Sequence, residues 1–156
     1  MRHYIFIILL QVCCYSCAQQ IINAGQLVGT KWKIESPQNV IRTIEFHEDY
    51  YTKFTHVSFS EFPEDQYTTK FDFEYYLSNE IPTVFDKKKG KNKKGKYLVG
   101  RSNPDNVYNR MWYYTIISFT PQKMLLFEKA PELKEGEIAI GGQPHDITWI
   151  LERIEE

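Results

Sequence analysis

The sequence predicts an all-β domain, an eight-stranded antiparallel up-and-down β-barrel behind an export leader. Three observations carry this reading. Apolar residues recur with a period of two along most of the chain, no window of twelve or more residues carries a helical stripe, and turn-forming clusters punctuate the strands. Antiparallel strands with no helix to cover a sheet face either close into a barrel or pack as two sheets. The barrel is preferred because closure removes edges that an aromatic-rich sheet would expose to aggregation. About eight strands also leave just enough room for one small ligand.

Residues 1–18 read as a signal peptide, and residues 19–156 as the barrel domain. Met1-Arg2-His3 is a short basic start, and the apolar run from Tyr4 to Leu10 is too short to span a bilayer. Ser16-Cys17-Ala18 supplies small residues before Gln19-Gln20, which places cleavage after Ala18. The alternative processing cuts before Cys17, lipidates that thiol and tethers the protein to an outer membrane. The expected location is therefore the periplasm or the extracellular space, or the membrane through that lipid anchor. All three cysteines, Cys13, Cys14 and Cys17, lie in the leader, so cleavage after Ala18 leaves no disulfide framework and stability must come from an ordinary core.

The strands are expected in this order. Lys31–Glu35 turns Trp32 and Ile34 inward, and after the turn Ser36–Asn39 the run Val40–Phe46 does the same with Ile44 and Phe46. Tyr50–Phe59 follows, and then Thr69–Leu77. There Phe71, Phe73, Tyr75 and Leu77 share a buried face, while Lys70, Asp72, Glu74 and Tyr76 share a wet one. Ile81–Phe85 contains Pro82 and is an edge segment or a loop. Tyr97–Arg101 is a strand, Asn103–Asn106 a turn, and Tyr108–Phe119 a long aromatic strand. Its phase puts Trp112, Tyr114 and Ile116 on one side, which Phe119 joins only across a bulge near Ile117-Ser118. Thr120–Lys123 closes a hairpin to Met124–Glu128. A glycine-bearing excursion over residues 131–144 precedes the last strand, Ile147–Arg153.

Charge narrows the partners. Loss of Arg2 with the leader leaves 18 basic against 20 acidic residues, a balance that argues against nucleic acid. Seven of the eleven residues from Asp86 to Lys96 are lysine, which reads as a solvated loop or a docking patch for an anionic surface. His47, His56 and His145 are scattered, and no His-Glu-x-x-His, Cys-x-x-Cys or Gly-x-Ser-x-Gly motif occurs. An enzyme is not expected, nor is a metal or cofactor. His56, four residues after Thr52, could face the barrel interior.

Gly29-Thr30-Lys31-Trp32 on the first strand and Arg153 on the last resemble the two ends of a lipocalin-type (calycin) signature. The stretches around Tyr75–Ser78, Phe85-Asp86 and Gly95–Val99 are further similar to small secreted lipocalin-like proteins of Gram-negative bacteria. The resemblance implies a barrel whose closed end is plugged by Trp32 under Arg153, with Gly29 turning the chain. A guanidinium over an indole would contribute about 0.5–2 kcal/mol.

Without its leader the chain holds 21 aromatic residues in 138. Aromatic side chains offer a pocket both apolar faces and polar handles. Phe54, Phe71, Phe73, Tyr75, Trp112, Tyr114 and Trp149 are the candidate wall of an interior site for a small hydrophobic or amphipathic molecule. Two readings stay open: a filled interior, or an envelope interaction module that uses residues 86–96 to contact a glycan, a membrane surface or a protein. Interior volume decides between a site and a filled core, since small-molecule pockets begin near about 300 Å³.

Overall fold

The computed structural model describes residues 19–48, 51–59, 66–86, 94–102, 111–130 and 145–155. The leader with Cys17, the turn at 103–106, residues 87–93 of the lysine run and the excursion at 131–144 lie outside them.

Eight strands close into an antiparallel barrel: β2 (Thr30–Ile34), β3 (Val40–Phe46), β4 (Tyr51–Ser58), β5 (Tyr67–Ser78), β7 (Tyr97–Ser102), β8 (Met111–Phe119), β9 (Lys123–Glu128) and β10 (Ile147–Arg153). Each pairs with the next, and β10 returns beside β2, an up-and-down order consistent with a lipocalin-like fold. The closing seam is short, Leu151 to Ile34, Glu152 to Lys33 and Arg153 to Trp32, whereas β4 and β5 pair from Tyr51–Glu74 through Ser58–Tyr67. The stretch Ile81–Phe85 forms no strand.

Outside the barrel, β1 (Ile22–Asn23) pairs with β6 (Lys94–Gly95), and a single 3₁₀ turn covers Ala24–Gln26. Neither is legible as an element in the sequence. The turn is held by a capping box: the Gly25 amide donates to Asn23 Oδ1, and the Asn23 amide donates to Gln26 Oε1. Gly29 then takes φ +72°, a left-handed conformation that costs a side-chain-bearing residue roughly 1–2 kcal/mol, and it aims the chain into β2.

The bulge expected near Ile117-Ser118 is present, with the β8–β9 register shifting between Ile116 and Ser118. Gln20 stabilises it from outside the sheet. Its amide donates to the Ile116 carbonyl, its Oε1 accepts from the Phe119 amide, and its Nε2 donates to the Phe119 carbonyl. The N-terminal segment thereby satisfies backbone groups that a bulge strips from the ladder. Phe119 regains the inward phase, with its ring centroid 5.8 Å from that of Trp32.

The core fills the closed end of the barrel: Leu27, Trp32, Phe46, Ile116, Met124 and Leu151 are buried almost completely. A second cluster on the outer face overturns one expectation. Lys70 and Asp72 on β5 are exposed as the alternation predicts, but Glu74 and Tyr76 of the same face are buried. The reason is the segment after β5, which places the Phe85 ring 5.0 Å from that of Tyr76 and against the Arg101 guanidinium at 4.5 Å. Tyr97, Val99, Met111 and Tyr113 complete the cluster, and Arg101 Nη2 donates to Glu74 Oε2 at 2.6 Å. Alternation marks faces of a strand; it cannot mark which outer face another part of the chain covers.

Candidate functional site

Above the plug, the inward residues stop meeting. An apolar cavity of about 200 Å³ lies inside the barrel, bounded by side chains from every one of its strands. Six of the seven residues singled out from the sequence line it: Phe54, Phe73, Tyr75, Trp112, Tyr114 and Trp149. Phe71 does not. It is exposed beside the wall, its ring 6.1 Å from Phe54 and stacked 6.2 Å from Phe73, so it extends the aromatic surface outward.

The wall also includes Ile34, Ile44, Phe46, Thr52, Leu98, Gly100, Leu126 and Leu151. Several of these carry the inward phase that the alternation gives. Alternation turns Ile34, Ile44 and Phe46 inward without marking them as wall, and a search led by aromatic content passes over the aliphatic and small residues among the rest. Gly100 matters most among them. Its Cα partner across the ladder is Trp112, and a methyl group at Gly100 would fall 2.7 Å from the indole, so only glycine lets that ring lie flat on the wall. Phe73 meets the same indole edge-on at 4.8 Å.

Trp32 is wholly buried in the filled core and does not line the cavity; its indole N–H donates to Thr30 Oγ1 at 2.6 Å, and the Thr30 hydroxyl in turn donates to the Leu27 carbonyl. Every donor of the plug is thus satisfied inside the protein, as a buried indole requires. Arg153 is the ladder partner of Trp32 but is exposed. The indole has Phe119 and the Leu27 turn as its neighbours, while the cation–ring contacts among the described residues join Lys96 to Tyr97 and Arg101 to Phe85.

The polar groups of the wall are few. The Trp149 indole N–H donates to Glu128 Oε2 at 2.9 Å, which pins the carboxylate beside the cavity. Tyr75 Oη reaches the His47 carbonyl at 3.4 Å. Burial, with the Glu128 charge adding to it, pushes the Tyr114 hydroxyl well above the ordinary tyrosine range, so this phenol stays protonated. His56 occupies the position beyond Phe54 on β4 and stacks on Tyr67 at 5.6 Å without bordering the cavity. Its Nε2 is enclosed and has no hydrogen-bond partner among the described residues. His47 and His145 are exposed. No group of three or more His, Cys, Asp or Glu side chains that could hold a metal ion occurs among the described residues.

Comparisons with protein-family models, with curated proteins and with solved structures return no match to this chain.

Proposed function

We propose that the protein is an exported, lipocalin-like binding protein that holds a small apolar molecule inside its barrel and performs no catalysis. One observation carries this reading: the closed barrel is filled at one end and hollow above it, and the hollow is walled by aromatic and aliphatic side chains. A core packed to ordinary density leaves no void of this size, since each lining group forfeits dispersion contacts. Retaining it is reasonable when a ligand supplies the missing contacts.

The volume sharpens the ligand. At about 200 Å³ the cavity falls short of the 300 Å³ scale of drug-sized sites, so it suits one substituted ring and leaves little room for a tetrapyrrole. A comparable apolar void of about 150 Å³ in an unrelated protein accommodates benzene.

The test uses the chain beginning at Gln19. Toluene, ethylbenzene, indole and short alkanols are titrated while tryptophan fluorescence and melting temperature are followed. Trp112 and Trp149 border the cavity, so occupancy changes their emission, and a ligand at 100 times its Kd raises stability by about 2.7 kcal/mol. Absence of any response across the set would sink the reading.

A further inference from the structure

We propose that the cavity selects a neutral, ring-sized molecule bearing one hydrogen-bond acceptor, and that the Tyr114 hydroxyl receives that acceptor. The proposal rests on the interior-binding reading and assigns the polarity of its ligand.

Tyr114 stands mid-strand on β8, paired with Leu98, and borders the cavity among apolar side chains. Two other hydrogen-bonding groups of the aromatic wall are committed elsewhere, Trp149 Nε1 to Glu128 and Tyr75 Oη toward the His47 carbonyl, and the Trp112 indole N–H is the remaining donor beside Tyr114. An acceptor carried into an apolar enclosure is costly to leave unpaired, and the Tyr114 phenol is a donor on that wall that can meet it. Because the phenol stays protonated, it serves as a donor across the physiological range.

Charge sets the second half of the selection. The Glu128 carboxylate is held by Trp149, itself part of the wall, and its charge already acts on Tyr114. A second negative charge in this enclosure meets repulsion in a low-dielectric space. Arg42 and its ladder partner His56, on β3 and β4, are basic side chains on the strands across the barrel. They do not border the cavity, and β4 lies four strands around the barrel from β9. Thr52 on β4 also lines the same space, and its hydroxyl adds no charge.

Ethylbenzene, acetophenone and benzoate, close in size, separate the possibilities. On the chain beginning at Gln19, calorimetric titration is expected to give acetophenone a three- to tenfold lower Kd than ethylbenzene, the scale of one net hydrogen bond. Benzoate is expected to bind more weakly than either. Tyr114→Phe should bring acetophenone and ethylbenzene within twofold of each other. Glu128→Gln, which keeps an acceptor for Trp149, should strengthen benzoate at least threefold. Equal affinities for acetophenone and ethylbenzene in the unmodified protein, or a preference that survives Tyr114→Phe, overturn the role of Tyr114 while leaving interior binding standing. Benzoate binding as tightly as acetophenone, or no gain with Glu128→Gln, overturns the exclusion of anions. Failure of all three compounds to bind overturns the interior site itself.

Discussion

The two halves of the barrel interior are built from the same kinds of side chain and end in different states. Near the plug, Trp32, Phe119, Ile116 and Met124 interlock and keep almost no accessible surface. Above it, Phe54, Phe73, Trp112, Tyr114 and Trp149 obey the same inward alternation and enclose a void. The difference comes from what fills the space between walls. At the closed end the 3₁₀ turn lends Leu27 and the β8 bulge restores Phe119, so side chains enter from outside the regular ladder. In the upper half, Gly100 withholds a side chain and Trp112 lies against the wall. Whether such a barrel is solid or hollow therefore turns on a few irregular positions rather than on the hydrophobic pattern.

The comparison breaks most visibly at the two tryptophans. Trp32→Ala should cost about 3–5 kcal/mol in chemical denaturation, as expected for a large side chain removed from a filled core. Trp112→Ala, which removes a ring that already faces a void, should cost less. Equal losses at the two positions would mean that the interior is uniformly packed. Gly100→Ala comes next: it drives the Trp112 indole toward the cavity, at about 1–3 kcal/mol of stability, and should weaken binding of ring-sized compounds. Unchanged binding would show that the indole has another place to go.

Tyr114→Phe is expected to change stability at neutral pH by less than about 1 kcal/mol, while altering its dependence on alkali. The folded state holds the phenolic proton more tightly than the unfolded chain, whose tyrosines titrate near 10. The contribution is therefore complete below about pH 10 and is lost as pH rises beyond it. Melting temperature should fall above pH 10 and fall less in Tyr114→Phe. Part of the decline persists, because burial raises the Tyr76 hydroxyl in the same direction. The smallest effect belongs to the outer surface, where Lys31 Nζ lies 2.8 Å from Glu45 Oε1. Their hydrogen bond lowers the Glu45 carboxyl, so its contribution is present above the unfolded pKa and fades as pH drops through the folded one. Lys31→Gln should cost at most about 1 kcal/mol at neutral pH.

The barrel was legible because alternation is a local signal that closure does not disturb. Val40–Phe46 and Ile147–Arg153 occupy the residues expected of them, and the Ile117-Ser118 bulge follows from the phase of Phe119 alone. The cavity wall was partly legible, since six of the aromatic candidates border it. What escaped depends on residues distant in sequence: Gln20 at the bulge, Phe85 over Tyr76, the exposure of Arg153, and the pinning of Glu128 by Trp149. The first two are contacts between a terminus or loop and a strand and the last joins side chains of neighbouring strands, and periodicity along one strand carries no information on any of them.

The short seam between β10 and β2 has a kinetic consequence. The β8–β9 hairpin can zip locally around Thr120–Lys123, but pairing Trp32 with Arg153 requires the two ends of the domain to meet. Loop-closure entropy grows only with the logarithm of length, yet it must be met before so brief a ladder returns anything. Closure of the cylinder is thus the late event in folding, and the seam is the place where amide protons should exchange first when the native protein breathes.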